Sequence, residues 1–388
     1  MAQIGIDKMS FFSPHQYIDM TELANARNEE PGKYLIGIGQ TEQAVVPPTQ
    51  DVVTMAVNAA DQILTPTERE EIDTIIFATE SGIDNSKSAA VYAQRLLGLS
   101  PYARTIEMKQ ACYAGTYGLM QARDYVALHP GAKVLVMASD IARYGLHTPG
   151  EVTQGAGAVA MLVTENPRIL TINRDNQFMS RDVMDFWRPV YAEEALVDGK
   201  YSAEVYREFF RDLWARYKEK TGLAIDDFKA FAFHLPFTKM GLKALRDILP
   251  EADEAKQALL LTEFEASRVY NKRIGNLYTG SVYLSLYSLL ENSTTLTAGD
   301  RLGIFSYGSG AEGEFYSVEL QPNFRDGLVT GQMDHLFDSR EYMTIPDYEE
   351  NFMAGLHGAT DREFDITKDP AKFVLAGLKD QQRVYLAH

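Results

Sequence analysis

Along most of the chain, short apolar runs rich in Val, Ile and Phe alternate with stretches of helical length, and turn residues separate the two. In the first half this pattern predicts a strand over 74–79, a helix over 86–97 and a strand over 104–108. A helix then starts after Cys112 and runs to about Leu128, followed by strands over 133–139 and 157–163. Strand and helix in alternation is the pattern of an α/β layer, here with a mixed sheet.

The second half repeats this order. It has a strand over 230–233, a helix from Thr238, a loop ending in Gly275 and Asn276, a helix after Gly280, and strands over 302–306 and 313–320. Glu80 and Cys112 are separated by 32 positions, His234 and Asn276 by 42, a difference that loop insertion absorbs. The chain therefore divides into two similar halves, 1–170 and 171–388. The second half carries an irregular insertion, 173–200, with Asp182, Asp185, Phe186, Trp187, Arg188 and Pro189, expected to fold over the site or an interface. Its tail, 321–388, is charged and weakly patterned and is expected to be helical.

In the repeat, Glu80 and His234 both follow the first strand of their half, while Cys112 and Asn276 both precede a helix. If the halves pack about a pseudo-twofold axis, all four polar groups converge on one crevice at the strand ends, where open α/β sheets bind ligands.

Composition narrows the picture. The 388 residues, 45% hydrophobic and 23% charged, can bury a large core, and the apolar runs are strand-sized rather than membrane-spanning. The N-terminal residues lack the basic and apolar pattern of an export signal, so a cytoplasmic location is expected. A formal charge of −17 argues against nucleic acid or anionic membrane as partners, and leaves an anionic substrate in need of a local basic patch. The single cysteine excludes an internal disulfide, a thiolate metal cage and a CxxC redox pair.

By count alone, one cysteine is more often a buried inert thiol than a nucleophile. Its place changes that reading. Cys112 sits at a strand-to-helix turn flanked by Ala111, Ala114 and Gly115, where the helix N-terminus should stabilise thiolate and lower the thiol pKa. The small neighbours leave room for a substrate, so Cys112 is the candidate nucleophile. His234 ends an apolar strand before Pro236. It is either a satisfied core histidine or a donor to a thioester or ketone oxygen. Asn276 is either a turn residue or a second uncharged donor to the same oxygen. For Glu80, two readings stand side by side: a carboxylate capping the helix near Ser86, or a desolvated acid fit for proton transfer.

The stretch 305–310 is a plain turn or a ligand-facing one, in which case the Ser309 N–H pairs with the Cys112 N–H as an oxyanion hole. Lys239 and Lys243, four apart on one helix face, are either solvated surface or contacts for the phosphates of an anionic substrate.

These residues, with Ala78-Thr79-Glu80-Ser81, Ala111-Cys112-Tyr113-Ala114, Thr153-Gln154-Gly155-Ala156-Gly157-Ala158, Asp185-Phe186-Trp187-Arg188-Pro189, Phe233-His234-Leu235-Pro236 and Ser306-Tyr307-Gly308-Ser309-Gly310, resemble hydroxymethylglutaryl-CoA synthases of the shorter bacterial type, in the thiolase superfamily. The resemblance covers most of the chain and adds little over the tail. It implies a duplicated, layered αβαβα thiolase-like fold and a homodimer. It also implies condensation of acetyl-CoA with acetoacetyl-CoA and water to HMG-CoA, in the mevalonate pathway of isoprenoid synthesis. Cys112 would carry the acetyl group, Glu80 would remove a proton from its methyl, and His234 and Asn276 would hold the ketone of acetoacetyl-CoA. By the same likeness Tyr144, Thr153, Asp140 and Asp185 line or order the site, no metal is needed, and CoA thioesters are substrates rather than cofactors. Gln110 departs from the family's usual Glu before Ala-Cys, which bears on thiol reactivity and not on reaction type.

Two other readings remain. A ketoacyl synthase of the Cys-His-Asn type generates its carbanion by decarboxylation and has no use for Glu80. A noncatalytic CoA-binding protein could keep the fold without the chemistry. A thiolase is disfavoured, because it needs a second cysteine that this chain lacks.

Overall fold

The computed structural model describes residues 2–192, 194–354 and 360–388. Ten strands form its main sheet: β1 (Ile4–Phe12), β2 (Ile72–Ala78), β3 (Arg104–Met108), β4 (Lys133–Ala142), β5 (Gly155–Glu165), β6 (Leu170–Ile172), β7 (Gln177–Ser180), β8 (Ala230–Phe233), β9 (Arg301–Gly308) and β10 (Glu312–Leu320). Their order is β8-β9-β10-β6-β1-β5-β4-β2-β3, with β7 beside β10. Outward from the centre, β1-β5-β4-β2 in one half matches β6-β10-β9-β8 in the other. The senses match too: β2 runs parallel to β4 as β8 does to β9, and β4 runs antiparallel to β5 as β9 does to β10. The halves are joined by antiparallel β1 and β6, with Gly5 opposite Thr171 and Ile6 opposite Leu170.

Helices cover this sheet in three layers. α1 (Val52–Asp61) and α2 (Ala89–Leu96) pack on the outer face of the first half. α3 (Ala114–Leu128) and α7 (Ser281–Asn292) lie between the halves, sharing one core with β1, β5, β9 and β10. α4 (Gly199–Thr221), α5 (Met240–Ile248) and α6 (Glu254–Ser267) cover the outer face of the second half. With each half of the continuous sheet forming one layer, helix, sheet half, helix, sheet half, helix is the expected αβαβα order.

Each helix type follows from its layer. α7 is buried on every side from Ser281 to Leu290 and is accordingly apolar all round apart from small hydroxyls and tyrosines. α4 faces solvent on one side and buries Val205, Tyr206, Phe209, Phe210, Leu213, Trp214 and Tyr217 on the other. Asp198 caps its N-terminus, and Gly222, at φ 73°, closes its C-terminus.

Two expectations change. The helix foreseen over 86–97 is α2, Ala89–Leu96, whose first N–H groups go to Glu107 Oε2 and Ser88 Oγ, at 2.7 and 3.1 Å. Glu80 is not its cap. The tail, expected to be helical, holds the short helices α8 (Gln332–Ser339) and α9 (Ile345–Met353), but it ends in an antiparallel hairpin of β11 (Phe373–Lys379) and β12 (Gln382–Ala387). Buried Phe373, Leu375 and Tyr385 pack that hairpin against α1 and α2, a long-range contact with no local signal.

Candidate active site

The turn that carries Cys112 is set by backbone geometry. Ala111 adopts φ 41°, and the Tyr113 N–H closes back on the Gln110 carbonyl at 3.0 Å. α3 then starts at Ala114. At Gly115 a Cβ would lie 2.6 Å from the Thr279 carbonyl oxygen, so only glycine lets the start of α3 touch the Asn276 loop. Gly308 plays the same part for the 306–310 turn: a Cβ there would lie 2.6 Å from the Tyr113 nitrogen. Ser309 is thereby held next to the cysteine turn.

Glu80 leaves the end of β2 and meets the thiol. Cys112 Sγ lies 3.3 Å from Glu80 Oε1, across a separation of 32 residues. Both groups hold their protons tightly. Glu80 as a residue is half-buried, but its carboxyl group is packed among protein atoms. This desolvation, followed by the nearby Asp140 charge, pushes its pKa up to about 8, against the opposing pull of Cys112, Arg188 and Lys109.

The thiol corrects the expectation drawn from its helix-start position. Burial pushes its pKa well above the usual cysteine value, and the charge and hydrogen bonding of Glu80 push it further. Cys112 is 7% exposed, in a small cluster with Ala142, Phe186, Ala195 and Tyr278, with Tyr144 packed against it. Loss of water and a facing carboxylate outweigh the helix terminus, so the resting sulfur is an uncharged thiol.

His234 closes β8 at 2% exposure. Its N–H donates to the Phe305 carbonyl and its own carbonyl accepts from Tyr206 Oη, at 2.8 and 2.7 Å. Burial lowers the imidazole pKa to about 3, so the ring is neutral. Its Nδ1 is buried and finds no hydrogen-bond partner among the described residues. A ring that is neutral and has one nitrogen unpaired is suited to donating a hydrogen bond to an oxygen brought by a ligand.

Asn276 is oriented by the turn before α7. Its Oδ1 accepts from the Tyr278 N–H at 2.9 Å and from Ser281 Oγ at 2.8 Å, which leaves Nδ2 directed at Tyr144 Oη, 3.3 Å away. Asp140 ties the two halves of the site together. Its Oδ1 accepts from Thr79 Oγ1, Glu80 N and Ser81 N, at 2.8, 2.9 and 3.0 Å. Its Oδ2 accepts from Thr279 N and Thr279 Oγ1, at 3.0 and 2.5 Å. Asp185, from the insertion, accepts from Tyr307 Oη, the Gly310 N–H and Ser202 Oγ, at 2.8, 2.8 and 3.0 Å.

The insertion folds over the site. Phe186 packs edge-on to Tyr144 at 5.8 Å between ring centres and lies 5.9 Å from Tyr278, while Arg188 donates to the Glu80 carbonyl. Thr153 is farther back, its hydroxyl donating to the Gly150 carbonyl at 2.9 Å. At the helix after His234, Lys239 precedes α5 and donates to the Ile36 carbonyl at 3.0 Å, and Lys243 sits over the Phe237 ring at 5.2 Å.

Reading the sequence assigned no role to Tyr278, Thr279, Gln154 or Arg188. Tyr278 is fully buried at φ 42°, which few non-glycine residues adopt, but nothing in its apolar pattern distinguishes it from a core tyrosine. The other three act through contacts more than 100 residues away, apart from Gln154 on Tyr144 and Gly145.

Fold and site define a condensing acyltransferase of the thiolase-like class. The chain belongs to the hydroxymethylglutaryl-CoA synthase family. Residues 1–167 match the family model described as hydroxymethylglutaryl-coenzyme A synthase N terminal, and residues 246–374 match its C-terminal counterpart. The chain is 50% identical over 383 residues to the hydroxymethylglutaryl-CoA synthase of Enterococcus faecalis, covering 98% of this chain and 99% of that one. Among solved structures, an HMG-CoA synthase complexed with CoA superposes with a TM-score of 0.96 at 43% identity, covering all of both chains. An MvaS structure in complex with 3-hydroxy-3-methylglutaryl coenzyme A superposes at 0.90 with 35% identity, covering 100% of this chain and 99% of that one.

Proposed function

We propose that the protein joins acetyl-CoA to acetoacetyl-CoA, with water, to give HMG-CoA and CoA, supplying the mevalonate pathway. One observation carries the assignment of roles: the 3.3 Å contact between Cys112 Sγ and Glu80 Oε1. A carboxyl that reaches the sulfur also reaches the methyl of an acetyl group attached to it.

Cys112 attacks the thioester of acetyl-CoA as its proton leaves, and CoA departs as the thiol. The Cys112 and Ser309 N–H groups take the oxyanion. Glu80, as carboxylate, removes a proton from the acetyl methyl, and the enolate carbon bonds to the ketone carbon of acetoacetyl-CoA. His234 and Asn276 donate to the ketone oxygen as it becomes an alkoxide, which takes its proton back from Glu80. Water then cleaves the thioester to Cys112, leaving a carboxylate and the free thiol. Chain, two thioesters and water balance every step, so no cofactor enters.

Tyr144 and Thr153 line the acyl pocket in this reading, and Lys239 and Lys243 meet CoA phosphates at the entrance. The halves 1–170 and 171–388 act as duplicated units, and the protein works as a cytoplasmic homodimer. Exposed apolar side chains support the dimer: Ile106 on edge strand β3 and Tyr117 on α3 are each 47% exposed and Phe178 on β7 65%, surface of the kind a second copy covers. No helix among the described residues is long and apolar enough to cross a membrane.

The test is an acetyl-CoA-dependent loss of acetoacetyl-CoA absorbance, with radiolabelled acetyl-CoA labelling Cys112. No loss of acetoacetyl-CoA, alongside turnover of malonyl-thioesters, would replace this reading with a decarboxylating ketoacyl synthase.

A further inference from the structure

Behind the site, a buried glutamine joins the C-terminal tail to the acyl pocket. Gln154 is 3% exposed. Its Oε1 accepts from two successive backbone N–H groups, Tyr144 at 2.8 Å and Gly145 at 3.2 Å. Its Nε2 donates to Tyr348 Oη at 2.8 Å, on helix α9 of the tail. The neighbouring Thr153 carbonyl accepts from the Asn276 N–H at 3.4 Å. The segment 153–154 thus holds Tyr144 on one side and Asn276 on the other, and those two residues meet at 3.3 Å between Asn276 Nδ2 and Tyr144 Oη.

The tail is fastened here by more than one bond. Arg143 donates to the Phe352 carbonyl at 2.6 Å with its guanidinium 4.1 Å from the Phe352 ring, and Asn351 Nδ2 donates to the Val46 carbonyl at 2.8 Å. Among these contacts, the one through Gln154 ends on the backbone of a residue in the acyl pocket. A glutamine suits this position because it accepts two N–H groups and still donates to a phenol, whereas an apolar residue would leave two buried N–H groups unpaired.

We propose that Gln154 is a positioning residue for the condensation step, and that Tyr348 in the C-terminal tail braces it. It holds Tyr144 where its hydroxyl meets the Asn276 amide, and so fixes the donor that Asn276 offers to the ketone of the second substrate. The inference rests on the roles given above to Cys112 and Asn276. Because the acetyl-transfer step uses the Cys112 turn and not Asn276, loosening Gln154 should divide the two half-reactions.

The experiment compares the full-length protein with Gln154→Leu, Gln154→Glu and Tyr348→Phe, measuring labelling of Cys112 by radiolabelled acetyl-CoA and, separately, kcat and KM for acetoacetyl-CoA. Expected for Gln154→Leu is acetylation within about twofold of the parent and a condensation kcat lower by roughly tenfold or more, a loss of the size expected for an unpaired buried donor. Gln154→Glu, which still accepts both N–H groups, should recover part of that loss. Tyr348→Phe removes one hydroxyl at the far end without opening a cavity, and should lower condensation by a few-fold with acetylation unchanged. Equal losses in both half-reactions, or no advantage of Gln154→Glu over Gln154→Leu, would reduce Gln154 to a structural part and overturn the proposal. If Gln154→Leu does not fold, a Tyr348→Phe variant that condenses like the parent overturns it equally. Failure of the parent to acetylate Cys112 would instead refute the functional reading beneath it.

Discussion

Cys112 Sγ and Glu80 Oε1 lie 3.3 Å apart, and the contact acts in opposite senses on the two protons: Glu80 tightens the hold of the thiol on its proton, whereas the hydrogen bond from Cys112 loosens that of the carboxyl. The pair comes from two strand-end turns of one half, brought together by parallel β2 and β3, which pair Ala78 with Met108. Separate consequences follow for each partner.

Replacing Glu80 by Ala should leave acetylation of Cys112 intact and stop condensation, lowering HMG-CoA output by roughly 10²–10⁴-fold. The same change removes the carboxylate that burdens the thiol, so alkylation of Cys112 by iodoacetamide should titrate at lower pH than in the parent. Normal HMG-CoA output from this variant would refute the role of Glu80 as base.

The base form of Glu80 is the carboxylate, and its pKa in the resting site is about 8. Condensation should therefore rise with pH through that region and level off above it. Acetylation of the sulfur removes a hydrogen bond that had lowered this pKa, so the limb belongs at or above the resting value. Arg188 also lowers it, and Arg188→Gln should move the limb to higher pH. A pH–rate profile of single-turnover condensation reads both.

The same pKa acts on stability with a definite sign. Above the ordinary value of 4.5 the unfolded chain releases the Glu80 proton, whereas the folded chain keeps it until about pH 8. Folding thus loses stability through Glu80 as pH rises across that window. Glu80→Gln, which cannot ionise, should raise Tm relative to the parent by an amount that grows between pH 5 and pH 8 in thermal melts.

With its pKa near 3, His234 stays neutral across the working range and should contribute no limb to the profile between pH 5 and pH 8. His234→Ala should lower condensation by about 10²–10³-fold through loss of an oxyanion donor, while the limb set by Glu80 stays in place. A limb near pH 6.5 that vanishes in this variant would show that the imidazole titrates after all.

Gly115→Ala places a Cβ 2.6 Å from a backbone carbonyl that cannot move without the Asn276 loop. It should cost about 1–3 kcal/mol in a denaturant melt and reduce condensation as well, since Thr279 also donates to Asp140.

Much of this was legible beforehand, for local reasons. Strands 104–108 and 230–233 were read to the residue because each is short and ends at turn chemistry, the second as an unbroken apolar run. The internal duplication was legible because order along the chain survives folding. The C-terminal hairpin was not, since its strands are stabilised by α1 and α2, some 300 residues away. Gln154 looked like any polar residue beside glycine, and only its partners at 144, 145 and 348 give it a place.

The sequence by itself determined that a lone cysteine would stand at a helix start, that a carboxyl, an imidazole and an amide would stand at the matching ends of two repeated halves, and that the layers would alternate. These are properties of short segments, set by side-chain period, turn residues and the geometry of a strand passing into a helix. Only the tertiary structure decided their proton affinities. A helix start alone lowers a thiol pKa. Phe186, Ala195 and Tyr278 close over Cys112 and Glu80 faces it, so water is lost and the thiol stays protonated. Desolvation is the sum of everything packed around a group, and most of what surrounds Cys112 comes from parts of the chain far from its own turn.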